Sequence, residues 1–452
     1  MAQSAPMKGV EVYQFLKRHL VDKSIDPSEL TPENYDPNVA PIACDNFDDI
    51  VTSLNSALNV TEPMEQSLAV IIACTLSTSL GGLPIWTHVV GPASSGKTTI
   101  IELVSAALPY TRVLSKFTGF HSGFRAGAST KDSSLFSTLQ DRTVFIKDFT
   151  TVLAMSPQER DRIFSELRDA FDGDTSNHYR NGIKYEFKNL RFGVVTGVTD
   201  AIRKFNTTNL GERFIHVQID GVWDKNFKLT KLHTTDETVG MAISSQLSAL
   251  LSPIASSNSR MVEQKGLIWG FLDYLQHIIL NDTKFIKQIA GNVESRYKLF
   301  FTHLARLVEM CRADLSTDIH KSQLTSPTRT ALTLAKLAVC LCAVYGLATP
   351  DQRVLQIVMK VALDTCITHQ QDIILCLARY GKSGALMSDI LREISITETP
   401  TRKLLEDLEQ TGLVVTSSKI QSGLITRGRP AKTYFLPLQV IEGIEHIKSM
   451  LG

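Results

Sequence analysis

The sequence predicts a parallel α/β core, then a helical region, then a C-terminal tail of a different type. Three observations predict it. Between Trp86 and Phe214, short apolar, β-rich runs alternate with helical stretches; the run PIWTHVV leads directly into GPASSGKTT; and strand signals vanish from about Gly240.

The bulk properties bound this reading. A chain of 452 residues allows about three domains, and 43% hydrophobic residues are enough for several buried cores. With 47 Lys and Arg against 46 Asp and Glu, the formal net charge is +1, so any nucleic-acid surface must be a local patch. The seven cysteines, Cys44, Cys74, Cys311, Cys340, Cys342, Cys366 and Cys376, show no C-x-x-C pair and no zinc spacing, which reads as free thiols in a reducing compartment. The start MAQSAPMKGVEVYQFLKRHL lacks the basic, apolar and small-residue order of a secretion signal, so a cytoplasmic location is expected. In the most apolar stretch, Ala331 to Ala348, Lys336 interrupts the run, and a buried helix is expected there with no membrane partner.

Along the chain, residues 1–62 hold a short helical pattern around Val12 to Val21 and then a polar, Pro- and Asp-rich loop, together a small accessory segment. Met64 to Gly82 has helical spacing and ends on a glycine pair. IIELVSAAL reads as a helix, TVFIKDF as a strand, Pro157 to Phe171 as a charged helix, and FGVVTGV as a strand. From about Gly240 to Gly346 amphipathic helical patterns dominate. The tail from about Thr349 reads as helices over Thr365 to Tyr380, Leu386 to Ile394 and Thr399 to Gln410, followed by LVVTS, a Gly/Arg loop and KTYFLP.

Gly91, Pro92, Ala93, Ser94, Ser95, Gly96, Lys97, Thr98 and Thr99 satisfy the phosphate-loop pattern G-x-x-x-x-G-K-[ST] between a strand and a helix. Glycines there let backbone N–H groups curl around phosphates. Lys97 can reach β and γ oxygens, the Thr98 hydroxyl can ligate Mg²⁺, and the helix N-terminus adds its dipole. ATP and Mg²⁺ are therefore the expected ligands.

A second strand of the site is TVFIKDFTTVL, whose apolar run leads to Lys147 and Asp148. A carboxylate at the end of a parallel strand beside the loop would hold the metal or orient the attacking water. The usual acidic pair is missing. Either Asp148 is the metal carboxylate, with Phe149 where a catalytic glutamate would follow, or Lys147 occupies the metal position and Asp148 the water-activating one.

This order of motifs resembles AAA+ ATPases of the minichromosome-maintenance type, and more closely the phage and mobile-element ATPases that share their layout. The likeness covers roughly Trp86 to Phe214, and the helical region after it weakly. It implies an ATPase core over 63–235 and a helical lid over 236–348. LRDAFDGDTSNHYRNGIKYEF is similar to the family segment that carries channel-lining, DNA-gripping elements. Arg180 and Lys184, flanked by His178, Tyr179 and Tyr185, would contact phosphates and stack on bases. By the same resemblance Thr196 or, preferentially, Thr199 positions the water near the γ-phosphate, and Arg213 in LGERF is the arginine finger offered to a neighbouring subunit. SPTRTALTLAKLA resembles the start of a lid helix that reaches the nucleotide through Arg329 or Lys336.

In the tail, over 349–452, three short helices and a two-stranded wing form a winged-helix pattern. Arg427, Arg429 and Lys432 lie on or beside the wing, and Arg402 and Lys403 sit near the start of the candidate recognition helix. That helix also carries Glu406, Asp407 and Glu409, poor neighbours for phosphates, so protein recognition competes with DNA recognition. The expected whole is a ring, hexameric by analogy, that hydrolyses ATP between subunits to move along and unwind DNA, with a primase or initiator as a further partner. The alternatives are an ATP-switched regulator of replication or transcription, and a switch that binds ATP without hydrolysing it.

Overall fold

The computed structural model describes residues 36, 38–56, 60–92, 95–114, 117, 119–120, 135–178, 184–204, 213–219, 254–312, 326–366, 368–394, 396–410, 412–418 and 432–451. The helical pattern expected at Val12 to Val21 lies outside them. The described residues divide into two compact units. One gathers those up to Ile202 with Val217–Ile289 and Val339–Ala348; the other gathers Arg203–His216, Ala290–Ala338 and those from Thr349 onward.

The first unit holds β2, β3, β6 and β1 of a five-stranded sheet of order β2-β3-β6-β1-β7, whose last strand is divided between the two units at His216 and Val217. The strands of the sheet are β1 (Trp86–Val90), β2 (Thr111–Leu114), β3 (Thr143–Ile146), β6 (Gly193–Val198) and β7 (Phe214–Gln218). The pairs β2 with β3, β3 with β6, and β1 with β6 are parallel. Every residue of β1, β3 and β6 is buried, so these strands read as continuous apolar runs with no alternation.

Helices cover the sheet. In α1 (Phe47–Asn55), Asn46 caps the start by accepting from Asp48 N; the sequence names no element there. Helix α2 (Glu62–Ser77) has Pro63 in its first turn and is buried from Ser67 to its end, as expected of a helix that lies against both a sheet and other helices. Helix α3 (Lys97–Ser105) follows the phosphate loop. A single turn, α4 (Thr150–Leu153), follows β3, and α5 (Pro157–Phe171) spans the range the sequence predicts. The start of α5 is fixed locally: Pro157 is its first residue, and the Ser156 hydroxyl accepts from Glu159 N at 3.4 Å while donating to Glu159 Oε2 at 2.8 Å. Strands β4 (Thr175–His178) and β5 (Lys184–Phe187) pair antiparallel, and Arg180, between them in the sequence, lies outside the described residues.

An aromatic cluster fills the space between sheet and α5. Trp86 stands edge-on to Phe171 with centroids 5.0 Å apart, and its indole N–H donates to Phe192 O at 2.8 Å. Phe120 stacks on Phe136 at 4.5 Å, and Phe149 lies between Phe117 and Phe164. Burying Phe149 fully sets the chain direction at the end of β3, which leaves the adjacent Asp148 exposed.

Beyond the core run α6 (Ile254–Asn281), α7 (Thr283–Arg312) and α8 (Thr328–Val344). Helix α6 packs on α1, α2 and α3. No described helix is long and apolar enough to cross a membrane.

From Thr349 onward the second unit contains α9 (Gln352–Thr365), α10 (Thr368–Tyr380), β8 (Ala385–Leu386), α11 (Met387–Glu393), α12 (Glu398–Gln410), β9 (Val415–Ser418), β10 (Lys432–Phe435) and α13 (Leu438–Met450). The three expected helices and the two final strands are present. A two-residue strand, β8, joins them in an antiparallel sheet of order β8-β10-β9. The helix the sequence reads from Thr365 to Tyr380 is α10, which starts at Thr368; α9 precedes it where the sequence names no helix, and Asp351 caps α9 by accepting from Val354 N at 2.9 Å.

Candidate functional site

The phosphate loop joins the buried end of β1 to the exposed start of α3. Gly96, immediately before α3, has φ +85°, the left-handed conformation in which a side chain would be strained. At Gly91 the backbone N–H donates to Val198 O at 3.2 Å, and a Cβ would stand 2.5 Å from Ile219 O and 2.9 Å from Ser95 Oγ. Both glycines are therefore required by the local path of the loop.

Lys97 turns its ammonium into that loop. Its Nζ donates to Gly91 O at 2.6 Å, to Pro92 O at 2.5 Å and to Ser95 Oγ at 3.3 Å. Partial burial lowers its pKa, opposed by the carboxylates of Asp200 and then Asp148. Two acidic groups thus lie close enough to act on the lysine. Only Asp148 was legible as a site residue; Asp200 was not, because a lone Asp after a strand resembles an ordinary turn residue.

The strand ends next to the loop carry the remaining groups. Lys147 Nζ pairs with Glu102 Oε1 of α3 at 2.8 Å, a use that the sequence did not reveal. Asp148 is exposed, and its Oδ1 accepts at 2.9 Å from the N–H of Thr150, the first residue of α4. On β6, Thr196 is fully buried and its hydroxyl lies 2.6 Å from His88 Nδ1 within the sheet. Thr199, by contrast, is half-buried just past the end of β6, and its N–H donates to Thr150 Oγ1 at 3.4 Å. The two alternatives for the polar strand-end residue therefore differ in access, with Thr199 at the rim and Thr196 inside.

Thr98 is exposed and Thr99 half-buried in the first turn of α3, while Ala93 and Ser94 lie outside the described residues. A threonine hydroxyl at a helix start and an aspartate carboxylate supply oxygen donors of the kind Mg²⁺ takes. Among the described residues, no group of three or more His, Cys, Asp or Glu could hold a metal by itself. The donor types and the two glycines are of the kind a magnesium nucleotide takes.

No family model and no curated protein matches the chain. The functional reading therefore rests on the residues themselves.

Apart from Lys184, the other expected residues that are described belong to the second unit. Arg213 is half-buried immediately before β7, and Arg329 and Lys336 lie half-buried on α8. In the tail, Arg402 is exposed on α12 and paired with Glu398 of the same helix; Lys403 is exposed beside it. Lys432, the first residue of β10, pairs with Glu409 Oε2 of α12 at 2.5 Å and lies 5.7 Å from the Tyr434 ring centroid. The Thr416 hydroxyl donates to the other oxygen of Glu409 at 2.5 Å. Two of the expected phosphate-contacting cations are thus engaged by carboxylates of the helix they were expected to assist. Arg427 and Arg429 lie outside the described residues. Lys184 is placed by its backbone in β5.

Proposed function

We propose that this chain is an ATP-hydrolysing motor of the AAA+ type, with a helical lid and a C-terminal winged helix, that works on DNA as a replication-type helicase or translocase. The observation that carries the reading is the strand, phosphate loop and helix unit, with Gly96 left-handed and the Lys97 ammonium turned into the loop. ATP would be held by Gly91 to Thr99, Lys97 exchanging the carbonyls of Gly91 and Pro92 for phosphate oxygens. Thr98 and Asp148 would hold Mg²⁺, which would supply neutralisation of phosphate charge. Thr199 orients the attacking water, and Arg213 serves a neighbouring subunit of a ring, which makes turnover depend on assembly.

The test is ATPase rate with and without single-stranded DNA, together with particle mass, for wild type, Lys97→Ala and Arg213→Ala. The expected result is DNA-stimulated turnover by ring-sized particles, lost in both variants, and separation of a forked duplex. A monomer whose turnover ignores DNA and survives loss of Arg213 overturns the ring motor.

The second reading is an ATP-switched regulator whose tail recognises a protein or one DNA site. The engagement of Arg402 by Glu398 and of Lys432 by Glu409 favours it, because those cations must leave a carboxylate before they meet a phosphate. Turnover without strand separation is its signature.

A further inference from the structure

We propose that Asp200, adjacent to Thr199 at the end of β6, is the carboxylate that takes the proton of the attacking water, leaving Asp148 to the metal side of the site. This rests on the ATPase reading above and supplies the second acid that the Lys147-Asp148 strand end lacks.

The backbone places it. Strand β6 lies directly beside β1, with Val198 opposite Val90 in register, and Val198 O accepts from Gly91 N at 3.2 Å. Asp200 is two residues further on, so the chain leaves the sheet one strand from the first residue of the phosphate loop. It opens a short 3-10 turn, Asp200–Lys204, and is exposed. On the other side of β6, Phe149 N donates to Gly197 O at 2.8 Å, which ties the end of β3 to the same strand. Asp148 and Asp200 therefore emerge from neighbouring strand ends.

Two neighbouring groups have partners of their own. Lys147 is held by Glu102 on α3. Asp148 keeps one oxygen on Thr150 N, which fixes it and leaves its other oxygen for a metal or a metal-bound water. Asp200, like Asp148, is near enough to the Lys97 ammonium for its charge to act on it.

The step balances. The oxygen of water forms a bond to the γ-phosphorus while the bond from that phosphorus to the β–γ bridging oxygen breaks. ADP leaves with the electron pair, and the proton passes to the Asp200 carboxylate and then to solvent, which reaches the exposed side chain. Thr199, adjacent in the chain, would hold that water by its hydroxyl.

The experiment compares full-length wild type, Asp200→Asn, Asp200→Glu and Asp148→Asn. It measures kcat, KM, the Mg²⁺ concentration for half-maximal rate, thermal unfolding, and affinity for a fluorescent ATP analogue with and without EDTA. Asp200→Asn is expected to lower kcat by about a hundredfold or more, the usual yield of a general base. Its nucleotide affinity, Mg²⁺ requirement and unfolding temperature should stay at wild-type values. Asp200→Glu should recover at least part of kcat, and Asp148→Asn should raise the Mg²⁺ requirement. An Asp200→Asn variant with wild-type kcat overturns the inference alone, and so does one that loses nucleotide affinity or folding in step with kcat. A wild type that binds no nucleotide or never turns it over overturns the ATPase reading itself.

Discussion

Lys147 and Glu102 form an ion pair at 2.8 Å that ties the end of β3 to α3, the helix following the phosphate loop. Both side chains are about one-third exposed, at 34% and 37%, so solvent screens the pair and its contribution to stability is modest. Replacing Lys147 by Met is expected to change folding stability by no more than about 1 kcal/mol. ATP turnover should remain within a few-fold of wild type, because the lysine holds a carboxylate and not the nucleotide. Thermal unfolding and a steady-state ATPase assay check both halves. Loss of turnover with nucleotide affinity intact would return Lys147 to the catalytic set.

Much of this was legible in the sequence wherever a run of apolar residues met a local signal. TVFI and GVVTGV are buried whole, and Ser156, Pro157 and Glu159 mark the start of α5 by side-chain chemistry alone. The phosphate loop was legible because its residue types are dictated by backbone path. What was missed depends on partners distant in the chain. Nothing near Lys147 announces Glu102, and β8 is two residues long, defined only by its pairing with β10. Asp200 gains its meaning from the register of β6 against β1. Helix α13 has the spacing of an amphipathic helix, with Ile441, Ile444 and Ile447 buried, yet Pro437 reads as an ending when it is a start.

Gly270 and Gly266 on α6 are crossed by the segment carrying Ala40 and Ile42. A Cβ on Gly270 would stand 1.8 Å from Ile42 O, and one on Gly266 would stand 2.5 Å from Ala40 O. Ile42 N also donates to Gly266 O at 2.9 Å, so the crossing chain cannot retreat without losing that bond. Alanine in a helix gains up to about 1 kcal/mol over glycine. Here the clash is with backbone, and overpacking of this kind costs roughly 1–3 kcal/mol or more. Gly270→Ala is therefore expected to lower the unfolding temperature. Gly291 on α7 offers the contrast: a Cβ there meets nothing within 4 Å, so Gly291→Ala should raise it. Calorimetry of the two variants separates helix propensity from packing, and equal shifts of one sign would refute the argument.

Tyr110 Oη donates to Asp273 Oδ1 at 2.5 Å, linking the turn before β2 to α6. Burial, then the Asp273 charge, pushes the Tyr110 phenol pKa up, so the donor stays protonated well into the alkaline range. Tyr110→Phe removes the donor and leaves a half-buried carboxylate without it. Hydrogen bonds to charged groups contribute about 1.5–3 kcal/mol, so a loss of about 2 kcal/mol is expected in a denaturant titration. Asp273→Asn keeps an acceptor and should cost less. A Phe variant as stable as wild type would mean that the link contributes nothing.

Glu409 gives a pH dependence whose sign can be worked out. The hydrogen bond from Lys432, then that from the Thr416 hydroxyl, holds its carboxyl below the ordinary 4.5, against the smaller opposing effect of burial. The unfolded chain therefore binds a proton at this position at pH values where the folded chain does not. Between the lowered folded value and 4.5, stability rises with pH. The contribution is fully present above 4.5 and is lost as pH falls through the folded value. Glu409→Gln lacks this titration. The difference in unfolding temperature between wild type and Glu409→Gln should thus be constant from neutral pH down to about 5 and shrink below it. Added salt should reduce the neutral-pH difference, because Lys432 and Glu409 are 43% and 33% exposed. A difference that ignores both pH and salt would show that the pair does not hold β10 to α12, and would leave Lys432 available for a phosphate at no cost to the fold.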